Sequence, residues 1–167
     1  MINKEFTISF KINVEKNPKW KDVDSSINFP PITTGDGVKV FFSKIKTLLK
    51  AYVLHPDVKY RKLSIDVSEY LNQDIHVVLT NSESETKLYI NGKLVKTLNI
   101  ENFKENLEEG DYVLIKPKQG DLKSISFDKS AQIILWGKIE SIKNDSINLE
   151  LFQPPETVTL PKDRIHF

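Results

Sequence analysis

The 167 residues predict an all-β fold, either a sandwich or a barrel. Three observations carry this. Apolar residues recur with a period of two in one segment after another. Turn-forming residues separate those segments at short intervals. No segment joins helical spacing to a helix start signal. About ten short strands result, a pattern of sandwiches and barrels rather than of α/β folds.

The first strand is the clearest. Phe6, Ile8, Phe10, Ile12 and Val14 alternate with Thr7, Ser9, Lys11 and Asn13, giving one buried and one solvated face. Asn17-Pro18 ends it. From Lys19 to Gly37 the chain carries Asp22, Asp24, Ser25, Ser26, Pro30, Pro31, Gly35 and Gly37, which predicts a long loop; loops of that length usually serve a purpose. Val38, Val40 and Phe42 alternate again, after which Ile45, Leu48, Leu49 and Tyr52 fall at helical spacing. Strand-like flanks favour two strands here over a strand and a helix. Leu63, Ile65 and Val67 form the next alternating run, and Ile75, Val77 and Leu79 the one after it.

The strongest local signal is Leu88-Tyr89-Ile90-Asn91-Gly92-Lys93-Leu94-Val95. Asn-Gly between two apolar runs predicts a type I′ hairpin, because both central residues need positive φ. A two-residue loop pairs Ile90 with Lys93, Tyr89 with Leu94 and Leu88 with Val95. Leu88, Ile90 and Val95 then share one face, Tyr89 and Leu94 the other. A hairpin apolar on both sides should have its second face covered too. Glu101 to Gly110 is polar, with Phe103 and Leu107 spaced for one helical turn. Strands are expected at 112–116, 122–127, 132–142 and 147–152. Asn144-Asp145 turns the last two, and Pro154-Pro155 breaks the ladder. Val158, Leu160 and the end segment Arg164-Ile165-His166-Phe167 can supply short closing strands.

Composition narrows the function classes. Lys plus Arg is 24 against 23 for Asp plus Glu, a formal net charge of +1, which argues against a dedicated polyanion binder. The absence of cysteine excludes a disulfide scaffold, thiol catalysis and Cys-ligated metal sites. No apolar run approaches the length of about 18 residues that a membrane span needs. Met1-Ile2-Asn3-Lys4-Glu5 lacks the apolar stretch of a signal peptide. The chain is long enough to bury about 70% of the surface its unfolded form exposes, so a self-sufficient core is expected.

Residues 76–95 read His-Val-Val-Leu-Thr-Asn-Ser-Glu-Ser-Glu-Thr-Lys-Leu-Tyr-Ile-Asn-Gly-Lys-Leu-Val. This resembles the concanavalin A-like, laminin-G-like jelly-roll domains, whose middle strands carry a tryptophan-His-x-Val stretch, with Ile75 here in the tryptophan position, followed by a Leu-Tyr-x-Asn-Gly-x-x-Val hairpin. Phe6-Thr7-Ile8-Ser9-Phe10 is similar to that family's opening strand, and Gly137-Lys138-Ile139-Glu140-Ser141-Ile142 to its late Gly-x-Ile-x-x-Ile strand. The resemblance implies an antiparallel jelly-roll β-sandwich over nearly the whole chain. A competing resemblance covers residues 109–167: Gly110-Asp111-Tyr112-Val113-Leu114 resembles the opening strand of SH3-, Tudor- and BAH-type barrels, and 137–155 their middle hairpin.

Candidate chemistry is sparse. Jelly-roll glucanases resembling this family place a Glu-x-Asp-x-x-Glu trio on one strand; Asp66 and Glu69 come closest, and their spacing puts them on opposite faces. His55, His76 and His166 are far apart and lack a partner at ligand spacing. There is no Gly-x-Ser-x-Gly elbow and no phosphate-binding glycine loop, so no enzyme is expected. No cofactor is expected either, with calcium the one ion the loops could hold: Asp22, Asp24 and Asp36 in the first, with Asn28, and Asn81, Glu83 and Glu85 in a second acidic turn. Sugar binding needs aromatic faces beside amides and carboxylates. Trp20, with Asp22 and Asp24, sits in the long loop, and Tyr89, or Tyr52 and Tyr60, could extend a platform. The bland alternative is that Trp20 pins its loop; Trp136 reads as core. Nucleic acid is not an expected partner, since lysines are spread evenly and the 44–50 stretch is short.

The expected protein is a single β-sandwich domain over 1–167, with 1–108 plus an SH3-like barrel over 109–167 as the alternative. Its expected role is non-catalytic: a structural or assembly protein, for instance a bacteriophage virion component, whose partners are other protein subunits, either further copies of itself or the rest of a virion. The competing role is a lectin-like carbohydrate-binding module using Trp20, Asp22, Asp24 and Tyr89 on glycans. No membrane partner is expected. The expected location is a virion or the cytoplasm of the producing cell, or extracellular for a fragment of a secreted protein.

Overall fold

A computed structural model describes residues 5–14, 26–28, 32–34, 38–45, 47–102, 106–152 and 154–167. The regular structure of the described residues is almost entirely antiparallel strand, as the period of two requires. It separates into two compact units, Met1–Leu54 with Arg61–Phe103, and His55–Tyr60 with Lys104–Phe167.

The N-terminal unit is a two-sheet sandwich. One sheet has the order β1 (Phe6–Asn13), β7 (Asp74–Asn81), β8 (Glu85–Ile90) and β9 (Lys93–Asn99). The other runs from β4 (Val38–Ile45) through β5 (Leu48–Leu54) to β6 (Arg61–Asp66). Two three-residue strands, β2 (Ser26–Asn28) and β3 (Ile32–Thr34), pair side by side along the outer edge of β4. The two sheets share one core: Ile8, Ile75, Val77, Leu79, Leu88 and Ile90 from the first, Val40, Phe42, Leu49, Ala51, Val53 and Leu63 from the second. Each large apolar side chain buried here contributes about 1.5–3 kcal/mol. The 38–55 region is two strands, as its flanks predict. Leu49 and Tyr52 look helically spaced only because β5 is buried on both faces, so no alternation is needed.

The Asn91-Gly92 turn has φ of 52° and 79°, the type I′ geometry its sequence demands. Ile90 pairs with Lys93 and Tyr89 with Leu94 as predicted, but a bulge follows and Leu88 pairs with Lys96, not Val95. The expected covering of the second face is also corrected, since Leu94 remains 46% exposed. The predicted 19–37 loop contains β2 and β3, each too short to show a period.

The C-terminal unit is a small closed meander. Its strands β10 (Tyr112–Ile115), β11 (Leu135–Ile142), β12 (Ser146–Phe152) and β13 (Pro155–Pro161) pair in sequence order. A single 3₁₀ turn, Lys162–Arg164, then brings Ile165 back beside Ile115, with the His166 amide donating to the Leu114 carbonyl at 2.8 Å. Pro155 starts β13 opposite Phe152 instead of ending the ladder; the first position of an edge strand tolerates a missing N–H. The strand expected at 122–127 does not form. The Glu156 carboxylate accepts the Lys123 amide at 2.7 Å and the Ser124 amide at 3.2 Å, taking the donors a ladder would use.

Candidate functional site

The outward face of the β1-β7-β8-β9 sheet carries the most organised set of exposed side chains. In a strand, alternate residues face opposite sides, so burying Ile75, Val77 and Leu79 turns His76, Val78 and Thr80 outward. Burying Leu88 and Ile90 does the same for Lys87 and Tyr89. Register then aligns them. Ser9 lies opposite Val78, Val78 opposite Tyr89 and Tyr89 opposite Leu94, a row that crosses all four strands. Flanking it are a polar row, Thr80, Lys87 and Thr97, and the pair Lys11 and His76. An apolar centre with a polar rim of both charges results, Glu85 and Lys87 being paired at 2.9 Å. Cross-strand neighbours of this kind lie close enough to act as one surface.

His76 is held by its backbone. Its amide donates to Asn91 Oδ1 at 2.9 Å, and its carbonyl accepts the Asn91 amide at 2.8 Å. The ring Nε2 lies 2.6 Å from Ser9 Oγ.

The sequence-derived candidates fare unevenly. Trp20, Asp22, Asp24 and Asp36 lie outside the described residues. Tyr89 is half-buried in the row just described, whereas Tyr52 and Tyr60 are buried and offer no face to a ligand. Burial, with Asp111 and Glu108 nearby, pushes the Tyr60 hydroxyl well above the ordinary tyrosine range. Asp66 is exposed and held below the usual carboxylate range by the Ser68 amide and hydroxyl. Trp136 is half-buried, stacked on Phe152 with centroids 4.1 Å apart and near Tyr112 at 6.2 Å.

The second acidic turn is occupied by a cation of the chain's own. Arg61, only 2% exposed, donates from Nη1 to Asn81 Oδ1 and the Ser82 carbonyl, each at 2.6 Å, and to Thr86 Oγ1 at 3.2 Å. Its Nη2 donates to the Glu83 carbonyl at 2.9 Å. Nη1 and Nη2 of the planar fork suit this cage of neutral acceptors, Nε has no hydrogen-bond partner among the described residues, and burial lowers the guanidinium pKa. Arg61 starts β6 and its acceptors sit at the β7–β8 turn, so the residue clamps the two sheets. Sequence reading missed it because a lone arginine in an alternating run reads as surface. Among the described residues no group of three or more His, Cys, Asp or Glu is placed to hold a metal ion. No described helix is long and apolar enough to cross a membrane.

The fold and these surfaces define an all-β chain of two antiparallel units. No family model matches the sequence. Among solved structures the chain is similar to the binding domain of botulinum neurotoxin serotype D, with a TM-score of 0.47 and 16% identity. The match covers 90% of this chain and 56% of that one. The chain thus spans little more than half the neurotoxin domain, and the likeness is too loose to carry site residues across.

Proposed function

We propose that the chain is a non-catalytic assembly protein that docks onto a second copy of itself through the outward face of the β1-β7-β8-β9 sheet. The row Val78–Tyr89–Leu94, ending on the edge strand β9 with Leu94 46% exposed, carries this reading. An apolar row framed by Lys11, Lys87, Asp74 and Glu85 is self-complementary across a two-fold axis, since each charge can meet its opposite on the other copy. A net charge of +1 puts up no electrostatic barrier to self-association. Such a subunit suits a larger assembly, for instance a virion, and a location there or in the producing cell.

The two-sheet core supports reading the N-terminal unit as concanavalin A-like, and the closed meander supports reading 109–167 as SH3-like. Neither fold sets the function.

Light scattering across a concentration series tests the proposal. The chain should dimerise, and Leu94→Glu should leave it monomeric, with an unfolding midpoint equal to that of wild type at concentrations where the wild type is itself monomeric. A chain that stays monomeric up to hundreds of micromolar, or a dimer indifferent to Leu94→Glu and Tyr89→Ser, sinks the idea. A second reading, carbohydrate binding, is favoured by the half-buried Tyr89 ring, whose diagonal neighbour Thr80 on β7 supplies a hydroxyl next to a stacking face. A glycan titration that Tyr89→Ala abolishes would select it instead.

A further inference from the structure

The geometry points to a binding site for a small organic anion in the C-terminal unit, within the loop joining β10 to β11. Residues 116–134 hold no strand, and long irregular loops in compact domains are usually functional. The loop lines an open cleft of about 520 Å³, a volume suited to a small-molecule ligand. Lys116, Lys118 and Lys129 line it together with Phe127, Ile133 and Ile134.

Charge is what singles the cleft out. The acids of this region are turned to other work. Asp121 accepts the Lys118 amide and Arg164 Nε, each at 2.7 Å, and Glu156 grips the Lys123 and Ser124 amides and the Ser124 hydroxyl. Asp128 Oδ1 accepts the Ser130 amide at 3.3 Å. Among the described residues, none of the three lining ammonium groups has an ion pair or a hydrogen bond. The carboxylates therefore fix the loop's backbone, with the Lys118 charge also acting on Asp121, while Lys116 and Lys129 are left for a ligand. Three cations beside an aromatic and aliphatic wall call for a ligand with a flat apolar body and two or more negative charges. A preformed loop lowers the ordering cost of binding it.

Calorimetric titration at low salt uses ATP as the probe that carries both features, with inorganic triphosphate and adenosine carrying one each. ATP should bind with a dissociation constant of about a millimolar or tighter, and the double variant Lys116→Glu/Lys129→Glu should weaken it at least about tenfold at an unchanged unfolding midpoint. Phe127→Ala should weaken ATP but not triphosphate. The site is refuted by an absence of saturable ATP binding, or by an equal loss in Lys93→Glu/Lys96→Glu, which alters the other unit. Triphosphate binding as tightly as ATP would refute the apolar wall's part. None of these outcomes depends on whether the chain dimerises through Leu94.

Discussion

The two units are stabilised by different means. The N-terminal sandwich is held by a large aliphatic core, and among its buried polar residues is a cation, Arg61, caged by carbonyls and side-chain oxygens. The C-terminal meander is smaller and relies on carboxylates that grip main-chain amides: Asp111 on Glu108, Asp121 on Lys118, and Glu156 on Lys123 and Ser124. Burial that follows a period is robust to any single exposed change. A loop pinned by a few carboxylates is open to one substitution or to acid.

Arg61→Ala should have the largest effect of any single polar change, because it leaves the Ser82 and Glu83 carbonyls without their donor and reduces the buried Asn81 side-chain oxygen to its bond from the Thr86 hydroxyl. The cost expected is about 3 kcal/mol or more in denaturant unfolding. Arg61→Lys should recover little, since an ammonium cannot reach acceptors fanned around a planar fork. Amide exchange should speed up at the β7–β8 turn while β10–β13 keep their protection. An unchanged midpoint would show that the clamp is not structural.

Gly137→Ala probes the other unit. A Cβ at this position would lie 2.9 Å from Leu151 Cδ2 and 3.0 Å from the Glu150 carbonyl oxygen, and the backbone atom cannot yield. Crowding of this kind costs about 1–3 kcal/mol. Faster amide exchange should be confined to β10–β13. Equal loosening in the sandwich would mean the two units do not unfold separately.

The contrast also explains what was legible in the sequence. Strands β1, β6, β7 and β8 could be read because each buries one face, and the hairpin turn because Asn-Gly is among the few dipeptides that accept two positive φ values in a row. The bulge after Tyr89 left no signal, and it moved Leu88 opposite Lys96. The 122–127 error has the same root as the missed Arg61: both depend on long-range side-chain hydrogen bonds, which no local period encodes. The apolar row on the outer sheet was half visible, since Tyr89 and Leu94 were placed on one face; Val78 joined it only once register was known.

Acid should separate the units at the smallest scale. Burial acts to raise the Asp121 carboxyl, but hydrogen bonds from Arg164 and the Lys118 amide outweigh it and hold the group below its usual range. A carboxylate depressed in the folded state contributes stability that is fully present above its unfolded pKa, near 3.9, and is lost as pH falls through the folded value. Arg164 keeps its charge throughout, its pKa raised by the Asp121 hydrogen bond. At neutral pH Asp121→Asn should therefore cost the C-terminal unit about 1–2 kcal/mol. The gap between wild type and variant should be constant from pH 7 to about 5, then close as the pH drops toward 2. Because Asp121 ties the 118–121 turn to Arg164, just before the closing bridge at Ile165, the lost protection should appear first at the amides of Lys116 and His166. A gap independent of pH would assign the Asp121 effect to shape alone and remove charge from the account of how this unit closes.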